Sequence, residues 1–133
     1  MIRSKRKTLD ALTYFYYNAV VMRNHRLLGG FETLLLLATI RLGEGAYGVT
    51  IRAELLRTAR KDVAVGAIYT GLGRLERRGL VESWLGEPTA ERGGRAKRFY
   101  RVTAKGLEVL HHKQRAMEGL LEGLDLTGEV AHG

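Results

Sequence analysis

One stretch of the chain constrains its fold more than any other: Val65 to Val102, VGAIYTGLGRLERRGLVESWLG followed by EPTAERGGRAKRFYRV. It reads as an apolar-faced helix, a strand, a basic Gly-Gly turn and a second strand. That order predicts a winged helix-turn-helix: mainly α, with a small β-hairpin wing and a long helix after it. At 100° per residue, Ile68, Leu72 and Leu75 form a core stripe. Gly66, Thr70, Gly73 and Arg77 lie opposite, flanked by Tyr69 and Arg74. A helix entering the major groove needs such a face, because bulky apolar groups keep the backbone away from base edges while Thr and Arg bond bases or phosphates. A plain amphipathic helix with a solvated face fits the same pattern. Gly71 and Gly73 each cost about 1 kcal/mol relative to Ala inside a helix, and close approach to DNA is one reason to keep them.

The second strand sets Ala96, Arg98, Tyr100 and Val102 against Lys97, Phe99 and Arg101, behind a turn made tight by Gly93-Gly94. Arg92, Arg95, Lys97 and Arg98 crowd the hairpin tip. Their mutual repulsion costs stability unless the tip meets anions. An ordinary solvated hairpin is the alternative.

The charge balance points to a polyanion. Against 14 Asp+Glu stand 22 Lys+Arg, a formal charge of +8. Every Lys and Arg precedes Ala116, while Glu118, Glu122, Asp125 and Glu129 close the chain, so the basic field belongs to the winged body. The chain has no cysteine, which excludes disulfides and thiolate metal sites. Its apolar runs, such as FETLLLLATI, are interrupted or too short to cross a bilayer, and the expectation is a cytoplasmic protein with no membrane partner.

With 133 residues and 45% hydrophobic content, one domain plus an arm is expected. Residues 1–28 form a basic arm with Arg3, Lys5, Arg6 and Lys7 and a helix over 8–22; residues 29–102 are the winged domain; 103–126 are a dimerisation helix; 127–133 are a flexible tail. Within the domain, Phe31 to Leu42 is a mostly buried helix whose Phe31, Leu34, Leu35, Ala38 and Leu42 share a face. Tyr47, Ile51 and Leu55 mark the first helix of the helix-turn-helix, which runs to Arg60-Lys61. Thr103 is placed to cap the last helix, where Leu107, Leu110, Gln114, Met117, Leu121 and Leu124 alternate in steps of three and four. Such a seam serves to meet a second copy of the chain.

Two motifs point elsewhere. GEGAYG (Gly43, Gly45, Gly48) satisfies the dinucleotide fingerprint and makes a small nucleotide-binding enzyme the rival reading. The preceding run is Leu-rich and of helical length, however, and the acidic residue needed about 20 positions on is missing. His111-His112 point in different directions on a helix and Glu118/Glu122 is a common solvated pair, so no metal, cofactor or catalytic role is assigned.

GGFETLLLLATIRLGEGAYGVTIRAELL, then GAIYTGLGRLERRGLVESWLGEPTAERGGRAKRFYRVTAKGLEVL, resembles the PadR-like transcriptional regulators over about residues 29–110. The features that carry the likeness are Tyr47-Gly48, the block with Gly66, Tyr69, Leu72, Leu75, Gly79 and Leu80, and the RAKRFYRVTAKG exit from the wing. The resemblance implies a homodimer on an inverted-repeat operator, usually a repressor, in the branch with one C-terminal helix. Tyr69 and the wing cations would face double-stranded DNA, and the helix after the wing would make the dimer. A small-molecule effector is common in the family and is of unknown identity for this chain. Gly71 and Gly73 stand where larger polar residues are common, leaving fewer side chains to read bases. Residues 1–21 have no counterpart, and Met22 reads as a natural start. A protein-interaction module on the same fold is the second rival, since fold alone does not fix function.

Overall fold

A computed structural model of the chain describes residues 28–87 and 96–128. Its elements run α1 (Gly30–Leu42), a 3-10 turn (Gly43–Gly45), α2 (Gly48–Ala59), α3 (Val65–Arg77), β1 (Val81–Leu85), β2 (Arg98–Val102) and α4 (Ala104–Leu121). The basic arm with the expected helix over 8–22, the Gly93-Gly94 turn with Arg92 and Arg95, and the end of the tail lie outside the described residues.

Gly29 breaks the chain before α1, where its N–H donates to the Glu32 carboxylate at 3.0 Å and satisfies one of the orphan donors of the first turn. Leu35, Leu36, Ala38 and Thr39 are buried, with Phe31, Leu34 and Leu42 packed against the core. The expectation of a mostly buried helix is only half met, because four consecutive leucines cannot share one face at 3.6 residues per turn. Leu37 and then Ile40 stay exposed. Gly43, at φ +60°, ends the helix. A helix, not a strand, therefore precedes GEGAYG, and this removes the strand–turn–helix setting that a dinucleotide site requires.

Thr50 secures the start of α2, its hydroxyl accepting from the Tyr47 N–H at 3.0 Å. Ile51 and Leu55 point into the core. Glu54, also buried, accepts from Arg41 Nε at 2.8 Å and from Arg57 Nη2 at 2.6 Å, which ties α2 to the end of α1. These two hydrogen-bonded guanidiniums hold its carboxyl below the usual range. Arg60, in the left-handed conformation at φ 56°, closes α2 and opens the turn to α3.

Ile68, Leu72 and Leu75 are fully buried, as their spacing predicts, against Leu35, Leu36 and Ile51. Each such side chain contributes about 1.5–3 kcal/mol on burial. Gly71 belongs to this inner side. A Cβ there would stand 2.5 Å from Leu35 Cδ1 and 3.2 Å from Phe31, so the glycine lets α1 and α3 approach and owes nothing to DNA. Gly73, by contrast, has only the end of Arg77 near it.

The strands pair antiparallel with Val81 opposite Val102, Ser83 opposite Tyr100 and Leu85 opposite Arg98. The alternation read from sequence holds: Tyr100 turns to the core, while Phe99 stacks on Trp84 on the other face. The Tyr100 N–H donates to Ala46 O at 2.9 Å and Tyr47 bridges Phe99, so the segment before α2 acts as a partial third strand at the base of the wing.

Thr103 caps α4 as expected, accepting from the Gly106 N–H at 3.1 Å. A Cβ on Gly106 would collide with the Leu80 carbonyl oxygen, so the start of α4 is pressed onto the start of the hairpin. The helix ends at Leu121, five residues short of the expected limit at 126. Gly123 reverses at φ +79°, and the Asp125 carboxylate accepts from the Thr127 N–H at 2.9 Å. This local turn competes with continuation of the helix.

Candidate nucleic-acid interface

The helix-turn-helix presents α3 through its outward face. Gly66 and Thr70 are exposed there, and among the described residues nothing beyond the helix's own backbone stands within 4 Å of where a Cβ on Gly66 would lie. The Thr70 hydroxyl donates to Gly66 O at 3.0 Å, which leaves its lone pairs free to accept. Arg74 and Arg77 are exposed and form no ion pair among the described residues. At its other end α3 begins at Val65, after Ala64, with no side-chain cap and no acid in its first turn, so among the described residues no side chain satisfies its first N–H groups at the positive end of its dipole. A cationic rim, a small centre and a bare helix start together suit an anionic groove.

Tyr69 is 38% exposed. Its ring lies where a side chain on Gly48 would otherwise stand, 2.5 Å from the Cβ position, so Gly48 is a socket for Tyr69 and not a phosphate-binding glycine. The ring also tilts against Tyr100, with centroids 6.3 Å apart. Burial chiefly, and then the neighbouring Glu76 and Tyr69, push the Tyr100 phenol up, while Arg98 opposes them.

On the wing, the strand pleat sends the two described cations of the tip set, Lys97 and Arg98, to opposite faces. Lys97 Nζ stands 4.7 Å from the Tyr47 ring centroid and 3.4 Å from its hydroxyl. Arg98 reaches the other way and donates to Ser83 Oγ at 3.0 Å. Arg92 and Arg95 lie outside the described residues. Sequence reasoning missed Tyr47, Glu76 and Ser83 as partners of these groups. Only the period-2 pattern of β1 pointed to Ser83, by placing it on the face of Val81.

The apolar seam on α4 divides. Leu110, expected in a dimer interface, is 9% exposed and belongs to the chain's own core with Gly106 and Val109. Leu107 is 49% exposed and lines a cavity of about 730 Å³ with Ile40, Trp84 and Phe99. Lys113 Nζ donates to Leu28 O at 3.1 Å and Thr33 Oγ1 at 2.8 Å. Beyond it α4 makes no hydrogen bond to another element among the described residues. Met117, Leu120 and Leu121 continue the buried stripe past the body and are exposed, and Leu124 is exposed beyond the helix end.

Among the described residues no helix is long and apolar enough to cross a membrane, and no His, Cys, Asp and Glu group could hold a metal ion. Comparison with known proteins matches residues 36–112, more than half of the chain, to the transcriptional regulator PadR-like family. A search of curated proteins gives no match. Among solved structures, the chain is similar to a PadR-like transcription factor from Bacteroides fragilis, at 26% identity and a TM-score of 0.58, over 76% of this chain and 88% of that one. A PadR family transcriptional regulator from Eggerthella lenta is 25% identical with a TM-score of 0.56, over 85% of this chain and 91% of that one. A transcriptional regulator from Clostridium thermocellum is 26% identical with a TM-score of 0.53, over 68% and 80%. With its helix-turn-helix, hairpin wing and trailing helix, the chain belongs to the PadR-like family of DNA-binding transcriptional regulators.

Proposed function

We infer that this regulator binds an inverted-repeat operator as a homodimer and represses transcription from it, with a cytoplasmic location following from that role. The observation that carries the reading is the outward face of α3, where Gly66 and Thr70 leave room for base edges and Arg74 and Arg77 are unpaired among the described residues. In this reading Thr70 and Arg74 contact bases, Tyr69 and Arg77 fix the helix in the groove, and Arg92, Arg95 and Lys97 meet phosphates beside it. Lys97 would leave the Tyr47 ring to do so.

The dimer is supported by the overhanging end of α4. Met117, Leu120 and Leu121 would remain wet in a monomer, and a second copy of the chain is the partner of matching chemistry. Two recognition helices related by a two-fold then read half-sites about 34 Å apart, and occupancy of such a site blocks transcription from it. Selection from a random duplex pool with the purified full chain tests the reading. Enrichment of an inverted repeat with that spacing is expected. A pool that stays random, or yields a single unrepeated half-site, contradicts it.

A further inference from the structure

The base of the wing is tied to the recognition helix by side chains outside the groove-facing set, one of which, Arg98, was expected among the cations of the wing tip. Arg98 on β2 donates to Ser83 Oγ on β1 at 3.0 Å, and Ser83 Oγ donates in turn to Glu76 Oε2 near the end of α3 at 2.7 Å. The register explains why they meet: positions 83, 98 and 100 share one face of the hairpin, the face that also sets Tyr100 against Tyr69. The Ser83 hydroxyl uses its donor toward the carboxylate and a lone pair toward the guanidinium, so opposite charges at the two ends polarise the same link. Lys97, one residue away, has no part in it and lies on the other face against Tyr47.

We propose that Glu76, Ser83 and Arg98 are positioning residues that hold the wing at a fixed angle to α3, so that one duplex meets both together, and that Arg98 itself holds no phosphate. The proposal rests on the DNA-binding reading. Without the link the hairpin, hinged at Arg78–Leu80, keeps its packing and the Tyr100–Ala46 backbone bond but loses its side-chain tie to α3, so its angle to that helix is more fully fixed only at the moment of binding, which weakens affinity without removing a bond to a phosphate. If Arg98 gripped a phosphate instead, its loss would also lower the salt dependence of binding.

The test uses the full chain with a fluorescein-labelled mixed-sequence duplex, in the wild type, Ser83→Ala, Ser83→Thr, Arg98→Ala, Glu76→Gln and the Ser83→Ala/Arg98→Ala pair. Ser83→Ala, Arg98→Ala and Glu76→Gln are each expected to weaken binding roughly three- to tenfold with the log–log salt slope unchanged. The double variant should be no weaker than the worse single, since both break one link, and Ser83→Thr, which keeps the hydroxyl, should bind as the wild type does. The chain's one tryptophan, Trp84, adjoins Ser83 and reports on the wing without DNA. Its fluorescence anisotropy should decay faster in Ser83→Ala and in Arg98→Ala. A salt slope reduced by about 0.9 per protomer in Arg98→Ala, with Ser83→Ala binding normally, overturns the proposal. So do additive losses or an unchanged Trp84 decay. A wild type that shows no salt-dependent affinity for duplex DNA refutes the DNA-binding reading itself, and the anisotropy measurement still decides whether the link holds the wing.

Discussion

α3 and α4 are both amphipathic helices on one body, and they leave opposite kinds of face open. α3 buries its whole apolar stripe and presents glycine, threonine and arginine. α4 buries only the first half of its stripe, at Gly106, Val109 and Leu110, and leaves Met117, Leu120 and Leu121 bare. An open polar, cationic face is already stable in water and gains from a polyanion, whereas an open apolar face gains from another apolar face. The two helices therefore suit different partners, in the proposed reading DNA for one and a second copy for the other, and each can then be disabled without touching its counterpart.

The largest separation should come from charge placed on α4. Met117→Asp with Leu121→Asp is expected to give monomers by analytical sedimentation and to lower affinity for an inverted repeat about a hundredfold or more, with the thermal transition of the winged domain retained. Leu110→Asp on the buried half should instead unfold the domain, because an unpaired charge would enter the core. If both changes unfold the chain, the overhang packs on its own body and the comparison fails. Charge removed from α3 should act in the opposite sense. Arg74→Ala with Arg77→Ala is expected to cost about 1–3 kcal/mol of DNA affinity per arginine, while sedimentation still reports a dimer. A dimer that dissociates on this change would contradict the division of labour.

Two glycines on α3 sharpen the contrast between its inner and outer faces. Gly71→Ala should destabilise by about 1–3 kcal/mol, since Leu35 and Phe31 must yield to the new methyl. Gly73→Ala should stabilise by about 0.5–1 kcal/mol in thermal or urea unfolding, because it meets only the end of Arg77 and adds helix propensity. The smallest effect belongs to Glu54, away from both open faces. Its lowered carboxyl contributes stability that is fully present above pH 4.5 and is lost as pH falls through its depressed value. Thermal midpoints of wild type and Glu54→Gln should therefore differ above that pH and converge in acid.

Much of this was legible in the sequence, and the gaps have physical causes. The stripe of Ile68, Leu72 and Leu75, the Thr103 cap and the alternation of β2 are local patterns, and each appears as read. A helical wheel fixes which residues share a face but not where the body beneath that face stops, so the seam on α4 ran on through Leu110 without revealing that this residue is already covered. Gly71 carried a faint signal, since it sits at the edge of the core stripe, but its need depends on how closely α1 approaches. The link from Arg98 through Ser83 to Glu76 was out of reach, because it follows from strand register across the wing loop, which no local pattern sets.

The claim that α3 and the wing meet a polyanion is tested most directly by the salt dependence of wild-type binding to duplex DNA. Arg77 and Lys97, taken twice in a dimer, alone predict a log–log slope of about −3.6, at −0.9 for each phosphate neutralised, and the rest of the wing steepens it. A straight line at that slope or steeper is the predicted result. A slope near zero, or no binding at low salt, contradicts the account.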